Sequence, residues 1–435
     1  MPRLRLQACV SVLVLAGVAC SGRGPVETSA VPATGRPMYQ VDAQHTGRSP
    51  HAGPRSMMLL RTFNTARVDV PDPTFESSDI QSSATIGPDG TAYLGLHNGA
   101  LFALRDPGTG NQLAARWSFH PPGASSWHGT PAISSEGTIY IGFSSNSTDP
   151  SASEGVLYAL RAPRAGIEPQ VLWTVELGPG RQTASPTIGA DGTIYAVSGM
   201  GRLSAISPDG EVRWTAQTGP TLKASPALGP DGTVYVSSMN GKLYAVAPPG
   251  TIRWTFRFAE FPGTGTPVIS HAPPAGADGM GSGASPTVAP DGTVYVGANN
   301  SNFYAVAPDG HLLWLFQAER EIAGIWSTAA LSADGTTLYF GANKGGIYAV
   351  NREDGSLRWQ HPIVGSIYSS PALDAAGHLY TGSTAGHLIE LDAATGETLF
   401  DYSAGAPIWT APAIRPDGTL IVADRTGRVM LFGEG

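Results

Sequence analysis

The sequence is poor in cysteine and in charge. Its 435 residues include two cysteines, Cys9 and Cys20, and charged residues make up 14% of the chain. Two cysteines this close to the amino terminus exclude a disulfide-stapled scaffold. Low charge together with 55 glycines and 36 prolines disfavours a protein of long helices and is typical of an exported all-β protein with many tight turns.

Motifs for common enzyme chemistry are also missing. The chain has no His-Glu-x-x-His, no Gly-x-Ser-x-Gly and no Cys-x-x-Cys, and its ten histidines are scattered. The glycine-rich run at 276–283 lacks the flanking strand and helix and the Gly-Lys-Ser/Thr of a phosphate loop, so we interpret it as a linker. We therefore expect no catalytic residue and no metal site.

The one long apolar run lies at the amino terminus and predicts export. Arg3 and Arg5 precede an apolar stretch from Val10 to Val18, which is too short to span a bilayer permanently. Small residues follow it, so we expect residues 1–19 to be a signal peptide. The end of this segment, Gly17-Val18-Ala19-Cys20, resembles a bacterial lipoprotein signal, and ordinary signal-peptidase cleavage after Ala19 is the alternative.

Cleavage before Cys20 would leave the mature chain with one cysteine, at its first position. A lone terminal thiol in an exported protein is explained if a lipid acylates it, which makes Cys20 the lipidation candidate. Residues 20–37 are rich in Gly, Pro, Ser, Thr and Ala and predict a flexible tether.

The charge of the mature chain limits its partners. Without the first 19 residues the chain keeps 24 basic and 34 acidic side chains, a net charge of −10, with no basic stripe. We therefore expect no nucleic-acid partner and contact with a membrane only through the lipid anchor.

A repeat fills the rest of the chain. Each copy has four short runs of Val, Ile, Leu, Tyr and Trp separated by Asp-Gly, Asn-Gly or Gly-Gly turns, which predicts one four-stranded antiparallel sheet. We interpret the Asp-Gly pairs as tight turns and not as calcium loops. The base period is about 41 residues, and one turn glycine marks each of eight copies: Gly90, Gly137, Gly192, Gly232, Gly292, Gly335, Gly377 and Gly418.

The strands are apolar on both faces, as residues 233–236 and 243–246 illustrate. Such a sheet must be covered on both sides by neighbouring sheets. Radial stacking of eight sheets meets that need, so residues 38–435 predict an all-β, eight-bladed β-propeller of four-stranded antiparallel blades. The Trp residues that recur at the outer strand predict packing between blades.

The two ends of the repeat array complement each other. The eighth copy stops after three strands, whereas residues 57–63 precede the first copy and have the pattern of a fourth strand. We therefore predict that this N-terminal strand completes the last blade and closes the ring.

Two copies carry insertions, at 144–154 and at 260–283. We interpret the first as a disordered surface excursion because of its composition. The second is longer and contains Phe261, Val268, Ile269 and His271, which makes it a candidate to fold back over one end of the ring.

The repeat varies most three residues before the Pro, or its Ala replacement, of the innermost strand. If innermost strands line the channel, these positions surround its mouth: Gln81, His128, Thr183, Lys223, Gly283, Trp326, Tyr368 and Trp409, with Trp127 beside His128. Three consecutive aromatic positions opposite polar and basic ones predict a site for a flat or amphipathic ligand, or for a partner's loop. Aromatic core filler in the channel is the alternative.

The sequence also resembles a known repeat family. Residues 389–400, 350–359 and 206–214 resemble the quinoprotein tryptophan-docking repeat, and residues 39–50 resemble the segment that opens pyrroloquinoline-quinone-like propellers. This resemblance implies an eight-bladed propeller. The family includes quinone-dependent dehydrogenases of alcohols or sugars and noncatalytic lipoproteins such as the propeller subunit of the outer-membrane barrel assembly machinery.

Within that family we favour the noncatalytic group. The chain lacks the adjacent cysteine pair of many of the dehydrogenases and their long inserted segments. We expect a monomeric outer-membrane or periplasmic lipoprotein without a cofactor, which binds an envelope protein or a small ligand. A soluble periplasmic or secreted protein is the alternative for its location. A dehydrogenase that uses pyrroloquinoline quinone and calcium is the alternative for its function.

Overall fold

The structure is a computed structural model, and the regular elements of its described residues are β-strands. It describes residues 38–65, 79–121, 124–125, 129–145, 153–164, 166–181, 183–220, 223–258, 281–318 and 324–435. These residues form 33 strands in eight sheets. No helix long and apolar enough to cross a membrane occurs in the described part of the chain.

The eight sheets are the eight predicted blades, which confirms the fold class. Blade 1 contains β2 (Thr85–Ile86), β3 (Ala92–Gly95), β4 (Leu101–Arg105) and β5 (Ala114–Phe119), and blade 2 contains β6 (Ala124–Ser125), β7 (Ala132–Ile133), β8 (Thr138–Ser145), β9 (Glu154–Arg161) and β10 (Gln170–Pro179). Blade 3 contains β11 (Thr187–Ile188), β12 (Ile194–Val197), β13 (Arg202–Ile206) and β14 (Val212–Gln217). Blade 4 contains β15 (Ala227–Leu228), β16 (Val234–Ser238), β17 (Lys242–Ala247) and β18 (Thr251–Arg257).

Blades 5–8 follow the same order, innermost strand first. Blade 5 contains β19 (Thr287–Val288), β20 (Val294–Gly297), β21 (Asn302–Val306) and β22 (Leu312–Gln317), and blade 6 contains β23 (Ala330–Leu331), β24 (Thr337–Ala342), β25 (Gly346–Asn351) and β26 (Leu357–His361). Blade 7 contains β27 (Ala372–Leu373), β28 (His378–Gly382), β29 (His387–Asp392) and β30 (Thr398–Ser403). Blade 8 contains β31 (Ala413–Ile414), β32 (Leu420–Ala423), β33 (Arg428–Gly433) and, as its outer strand, β1 (Met58–Asn64). Blade 2 differs from the prediction by one extra two-residue strand, β6, which pairs with β8.

The N-terminal strand β1 closes the ring, as predicted. It pairs antiparallel with β33 from Met58 opposite Gly433 to Asn64 opposite Arg428. Its other edge contacts blade 1, because Thr62 donates its N–H to the carbonyl of Asn111 (3.1 Å) and accepts one from Leu113 (2.9 Å). One strand therefore joins the last blade to the first.

Apolar side chains pack at every seam between consecutive blades. Eight buried clusters fill the eight seams, including the seam between blades 8 and 1, where Leu94 and Phe102 meet Ile421 and Leu431. The second strands β3, β12, β16, β20, β24 and β32 are buried along their whole length. This explains why the strand sequences are apolar on both faces.

The outer tryptophans of blades 2, 4, 5 and 6 connect each of these blades to the next, as predicted. Trp254 of blade 4 donates its indole N–H to the carbonyl of Pro308 in blade 5 (2.8 Å). Its ring covers Gly310, where an added Cβ would lie 2.7 Å from the indole and the backbone has a φ of +93°. Only glycine fits that contact and that dihedral together. Trp173, Trp314 and Trp359 make the corresponding hydrogen bonds.

The Asp-Gly pairs form tight turns, as predicted. In blade 3 the carboxylate of Asp191 accepts hydrogen bonds from the N–H and hydroxyl of Thr193 (3.0 and 2.6 Å). Gly192 between them has a φ of +85°. The carboxylate thus holds its own turn, which is the usual role of Asp at this position.

A belt of hydroxyl groups links the innermost strands. In each case a backbone N–H donates to the Ser or Thr hydroxyl of a neighbouring blade. The bonds, of 2.9 to 3.0 Å, run from Ser83 to Thr130, Thr130 to Ser185, Ser185 to Ser225, Ser225 to Ser285, Thr328 to Ser370, and Ala411 to Ser83.

The segment before β1 closes one end of the channel, and we call residues 38–50 the N-terminal plug. Its carbonyls at 43, 44, 46 and 47 accept hydrogen bonds from the N–H groups of Leu228, Val288, Leu331 and Leu373, in four successive blades. Asp42 fixes the local turn by accepting the N–H of Gln44 (3.1 Å) and of Thr46 (3.0 Å). The sequence pattern does not predict this path.

Blade 7 departs from the pattern at a buried position. In blades 1–6 a Tyr, an Ala and a Trp lie side by side across the second, third and fourth strands. In blade 7 the row is Tyr380, Glu390 and Phe400. Tyr380 donates to Glu390 (3.2 Å), and the His378 ring nitrogen Nδ1 lies 3.2 Å from the same carboxylate.

We expect Phe63→Ala to loosen the seam between blades 8 and 1. The Phe63 ring packs on Phe102 with centroids 5.8 Å apart, so the substitution should lower the free energy of unfolding by about 2 kcal/mol. Chemical denaturation followed by tryptophan fluorescence measures the loss. The control is Leu59→Ala, in the same strand, whose side chain is 38% exposed. Equal, small effects of both substitutions would contradict closure by β1.

We expect Glu390→Gln to stabilise the protein at neutral pH. Burial raises the pKa of Glu390, more than His378 and Tyr380 lower it. The favourable contribution of the protonated carboxyl is complete below the unfolded pKa and is lost as pH rises through the folded pKa. The free energy of unfolding of the variant should therefore exceed that of wild type by about 1 kcal/mol at neutral pH. This difference should shrink towards pH 4.

Denaturation midpoints between pH 4 and 8 measure this difference. Glu397→Gln, in an exposed turn of the same blade, is the matched control and should leave the midpoint unchanged. A wild type that is the more stable protein at pH 8 would refute the predicted cost of burying Glu390.

Candidate functional site

The predicted site positions lie at the end of the channel opposite the plug, which we call the mouth. Lys223 precedes β15, whereas Leu228 at the other end of β15 bonds to the plug. The same holds around the ring, because every innermost strand runs from the mouth to the plug. Gln81, Thr183, Lys223, Gly283, Trp326, Tyr368 and Trp409 all occupy this end, and Trp127 and His128 lie outside the described residues.

The turns between second and third strands lie at the mouth as well. So do the connections that lead from one blade to the next, since strand directions alternate. Both insertions singled out in the sequence are attached here: residues 145 and 153 flank one, and residues 258 and 281 flank the other. Most of both insertions falls outside the described residues, so their predicted roles stay predictions.

Three aromatic side chains of blades 6, 7 and 8 form a continuous aromatic arc. Trp326 and Tyr368 meet edge to face with ring centroids 6.1 Å apart, and Tyr368 and Trp409 lie 4.8 Å apart. All three side chains are partly exposed. The structure therefore brings together the three aromatics that the sequence placed on consecutive blades.

A cation lies at each end of the aromatic arc. The ammonium of Lys223 is 5.5 Å from the centroid of Trp326, and the guanidinium of Arg425 is 4.0 Å from that of Trp409. Both distances are within the range of a cation–π interaction. Lys223 belongs to blade 4 and Trp326 to blade 6, so their contact crosses blade 5.

Gly283 of blade 5 makes that crossing possible. An added Cβ at Gly283 would lie 2.8 Å from the ring of Trp326, which is closer than atoms in contact can approach. The missing side chain therefore allows the indole to lie over this blade and to reach Lys223. The glycine at this ring position serves to position Trp326.

Asp79 completes the mouth on the side of blade 1. Its carboxylate accepts a hydrogen bond from Nε of Arg425 (2.9 Å), a second from the same guanidinium, and one from Gln81. Burial raises the pKa of Asp79, but these hydrogen bonds and the charge of Arg425 together lower it by more than burial raises it. The pKa of Asp79 therefore lies below its ordinary value. The Asp79–Arg425 pair is ionised and neutral as a unit.

His97 lies beside this pair, and its backbone N–H donates to the backbone carbonyl of Asp79 (3.0 Å). Burial lowers the pKa of His97, Asp79 raises it, and the positive charges of Arg425 and Arg181 lower it. The result is a lowered pKa, so the imidazole is neutral at neutral pH.

Sequence inspection missed Asp79, His97 and Arg425. His97 and Arg425 occupy the same place in the turn between second and third strands, in blades 1 and 8, where other blades carry Met239 or Asn299. Variation at this turn position is the signal that could have located them. Their closeness to the aromatic arc depends on ring closure, because blade 8 meets blade 1 only in the folded protein.

The floor of the mouth is closed from below. Tyr39 of the plug bonds through its hydroxyl to Thr328 and Ser370 of the hydroxyl belt, at 3.0 Å each. Burial raises the pKa of this phenol, which keeps it neutral. A molecule that reaches the mouth therefore meets a shallow dish and not an open channel.

The described mouth does not fit a quinone held by calcium. Calcium takes six to eight oxygen ligands, usually including several carboxylates, whereas Asp79 is paired with Arg425 and the cation of Lys223 lies at the far end of the aromatic arc. Among the described residues no group of three or more His, Cys, Asp or Glu side chains could hold a metal ion.

A second concave region lies at the plug face. This cleft of about 560 Å³ is bounded by the end of the plug and by turns of blades 7 and 8, with His51, Arg55, Ala376, His378 and Asp417 among its lining residues. Charges of both signs line it, and aromatic side chains other than histidine are absent from its lining.

Comparison with known proteins identifies the repeat. The family model for the outer membrane protein assembly factor BamB matches residues 199–370, which contain the last two strands of blade 3 and all strands of blades 4–6. No curated protein matches the chain.

Solved structures share the fold at low sequence identity. A europium-containing methanol dehydrogenase is 13% identical, with a TM-score of 0.64, over 92% of this chain and 98% of its own. BamB from Moraxella catarrhalis is 16% identical, with a TM-score of 0.58, over 87% of this chain and 98% of its own. Sqt1 from Saccharomyces cerevisiae is 13% identical, with a TM-score of 0.63, over 88% of this chain and 99% of its own. At these identities the similarity shows the fold alone.

Proposed function

From the premise that this chain is built of quinoprotein-type β-propeller repeats, we propose that it is a noncatalytic binding scaffold of the bacterial cell envelope. In this proposal the protein is exported, a lipid on Cys20 anchors it to a membrane, and a partner protein or ligand binds at the mouth.

The aromatic arc carries the proposal. It offers partly exposed rings with a cation at each end, the combination that binding surfaces use for contact area and orientation. The carboxylate of Asp79, near one end of the arc, is held by Arg425. A lowered pKa makes Asp79 a poor general base at neutral pH. The described groups therefore support binding better than proton transfer.

The path of the N-terminal segment supports the same arrangement. Met38, the first described residue, packs among side chains of blades 2 and 3 that include Ile188, at the plug end of β11. A tether of residues 20–37 would thus join the propeller at the plug face. Met38 therefore lies at the opposite end of the channel from the aromatic arc.

The matching family model supports an envelope location, since its description names an outer-membrane assembly factor. Outer-membrane and periplasmic lipoproteins both agree with that description. The alternative function, a dehydrogenase that uses pyrroloquinoline quinone, gains support from the methanol dehydrogenase only at the level of the fold.

We expect Cys20→Ser to release the protein from the membrane fraction of its own cells. Wild-type protein should sediment with membranes and carry the mass of a lipid on its N-terminal cysteine. The variant should lose the lipid mass and, once its signal peptide is cleaved after Ala19, appear in the soluble periplasmic fraction, because no acylated cysteine anchors it. Fractionation with immunoblotting and intact-mass analysis measure both. An unmodified wild-type Cys20 would remove the lipid anchor from the proposal.

We expect the mouth, and not the plug face, to contact the partner. A photo-crosslinking amino acid at Thr183, a mouth position, should give a discrete crosslinked species in intact cells. The matched control at Ala376, in the cleft of the plug face, should not. Mass spectrometry of the crosslinked species measures the contact.

A quinone assay tests the alternative function separately. Addition of pyrroloquinoline quinone and calcium to the purified protein should give no saturable dye reduction with alcohols or sugars. Saturable, calcium-dependent activity would overturn the noncatalytic function whatever the crosslinking result.

A further inference from the structure

The lysines of the protein all lie at one of its two faces. The chain contains three lysines, Lys223, Lys242 and Lys344, and all three lie at the mouth. Lys223 precedes an innermost strand, Lys242 begins β17, and Lys344 lies in the turn between β24 and β25.

The plug face carries acidic turns of the repeat, most of which are ion-paired. In six of the eight blades the turn between the first and second strands contributes an aspartate there: Asp89, Asp191, Asp231, Asp291, Asp334 and Asp417. Arginines at the same face pair with five of these six carboxylates. The paired charges of these turns largely cancel, so they offer a negatively charged partner little attraction compared with a lysine that has no counter-ion.

Lys223 is the cation best placed to meet such a partner. It is exposed, and among the described residues it contacts the ring of Trp326. Arg425, at the other end of the aromatic arc, already has Asp79 as its counter-ion. An incoming carboxylate would thus find its uncompensated positive charge at the Lys223 end.

The shape of the mouth favours an extended segment over a small molecule. Successive contacts of 5.5, 6.1, 4.8 and 4.0 Å lead from Lys223 through the three aromatic rings to Arg425. This path is about as long as six residues of an extended chain, at roughly 3.3 Å a residue. Tyr39 closes the dish from below, whereas small-molecule sites enclose most of their ligand.

We infer that the mouth binds an acidic peptide segment of a partner protein, with aromatic side chains of that segment stacked on the aromatic arc and a carboxylate at Lys223. The inference rests on the proposed scaffold function and specifies the partner's chemistry. It accounts for the uncompensated lysine and the partly exposed rings in one contact.

Titration of the purified protein with synthetic peptides tests the inference. The probe is the octapeptide Gly-Glu-Phe-Glu-Phe-Glu-Glu-Gly with both ends blocked, in which both Phe and the last Glu share one side of an extended chain. Tryptophan fluorescence and calorimetry are the readouts. One comparison peptide has every Glu replaced by Lys, and another has both Phe replaced by Ser. Phenylpropionate, which carries an aromatic ring and a carboxylate, represents the small-molecule alternative.

We expect saturable binding of the acidic aromatic peptide only, weakening severalfold when sodium chloride rises from about 50 to about 300 mM. Lys223→Met should weaken it about threefold. Gly283→Val should displace Trp326 and weaken it about fivefold. Lys242→Met, at the same face but outside the aromatic arc, is the matched control and should leave affinity unchanged. Far-UV circular dichroism checks that each variant is folded. If Gly283→Val does not fold, the affinity of Lys223→Met alone decides the outcome.

Three results would overturn the inference: equal or tighter binding of the lysine peptide, equal binding of phenylpropionate, or equal affinities of Lys223→Met and Lys242→Met. Absence of peptide binding would also do so. If the crosslink at Thr183 nevertheless forms, the scaffold function stands and only the acidic partner is wrong. Quinone-dependent activity would instead remove the scaffold function, independently of the peptide result.

Discussion

Each sheet of this propeller depends on its two neighbours to exclude water. Second strands such as β16 and β24 are buried along their whole length, and a sheet that is apolar on both faces cannot remain dry alone. A row of such sheets would still expose one apolar face at each end. Ring closure removes both exposed faces at once, which is why the pairing of β1 with β33 matters more to the fold than any other strand contact.

The N-terminal segment joins the blades a second time, inside the channel. Carbonyls of residues 38–50 accept hydrogen bonds from four successive innermost strands, and the hydroxyl belt above them connects blade to blade. Innermost strands contain only two residues each, too few to hold the centre of the ring by their own pairing. The plug thus compensates for short strands, and it also makes the mouth a dish with a floor.

Much of this architecture follows from the sequence because a repeat converts one local pattern into eight. The number of blades, the Asp-Gly turns and the borrowed strand all depend on spacing along the chain. The plug and the Asp79–Arg425 pair do not, since each joins segments that are far apart in sequence, 346 residues for the pair, and each occurs once. Glu390 shows the same limit. The corresponding residues of blades 1–6 are alanines, which predict an apolar environment, whereas the fold places a tyrosine hydroxyl and a histidine beside Glu390.

The mouth can vary in sequence while the rest of the ring cannot, and this difference explains where function is carried. An outer tryptophan touches the next blade's glycine and carbonyl, so changing one residue disturbs two blades. Side chains at the start of innermost strands project at the rim, where Lys223 is exposed and Trp326, Tyr368 and Trp409 are partly exposed, and replacement there costs little packing. Gly283 shows that such positions can nevertheless act together, because its missing side chain allows residues of blades 4 and 6 to meet.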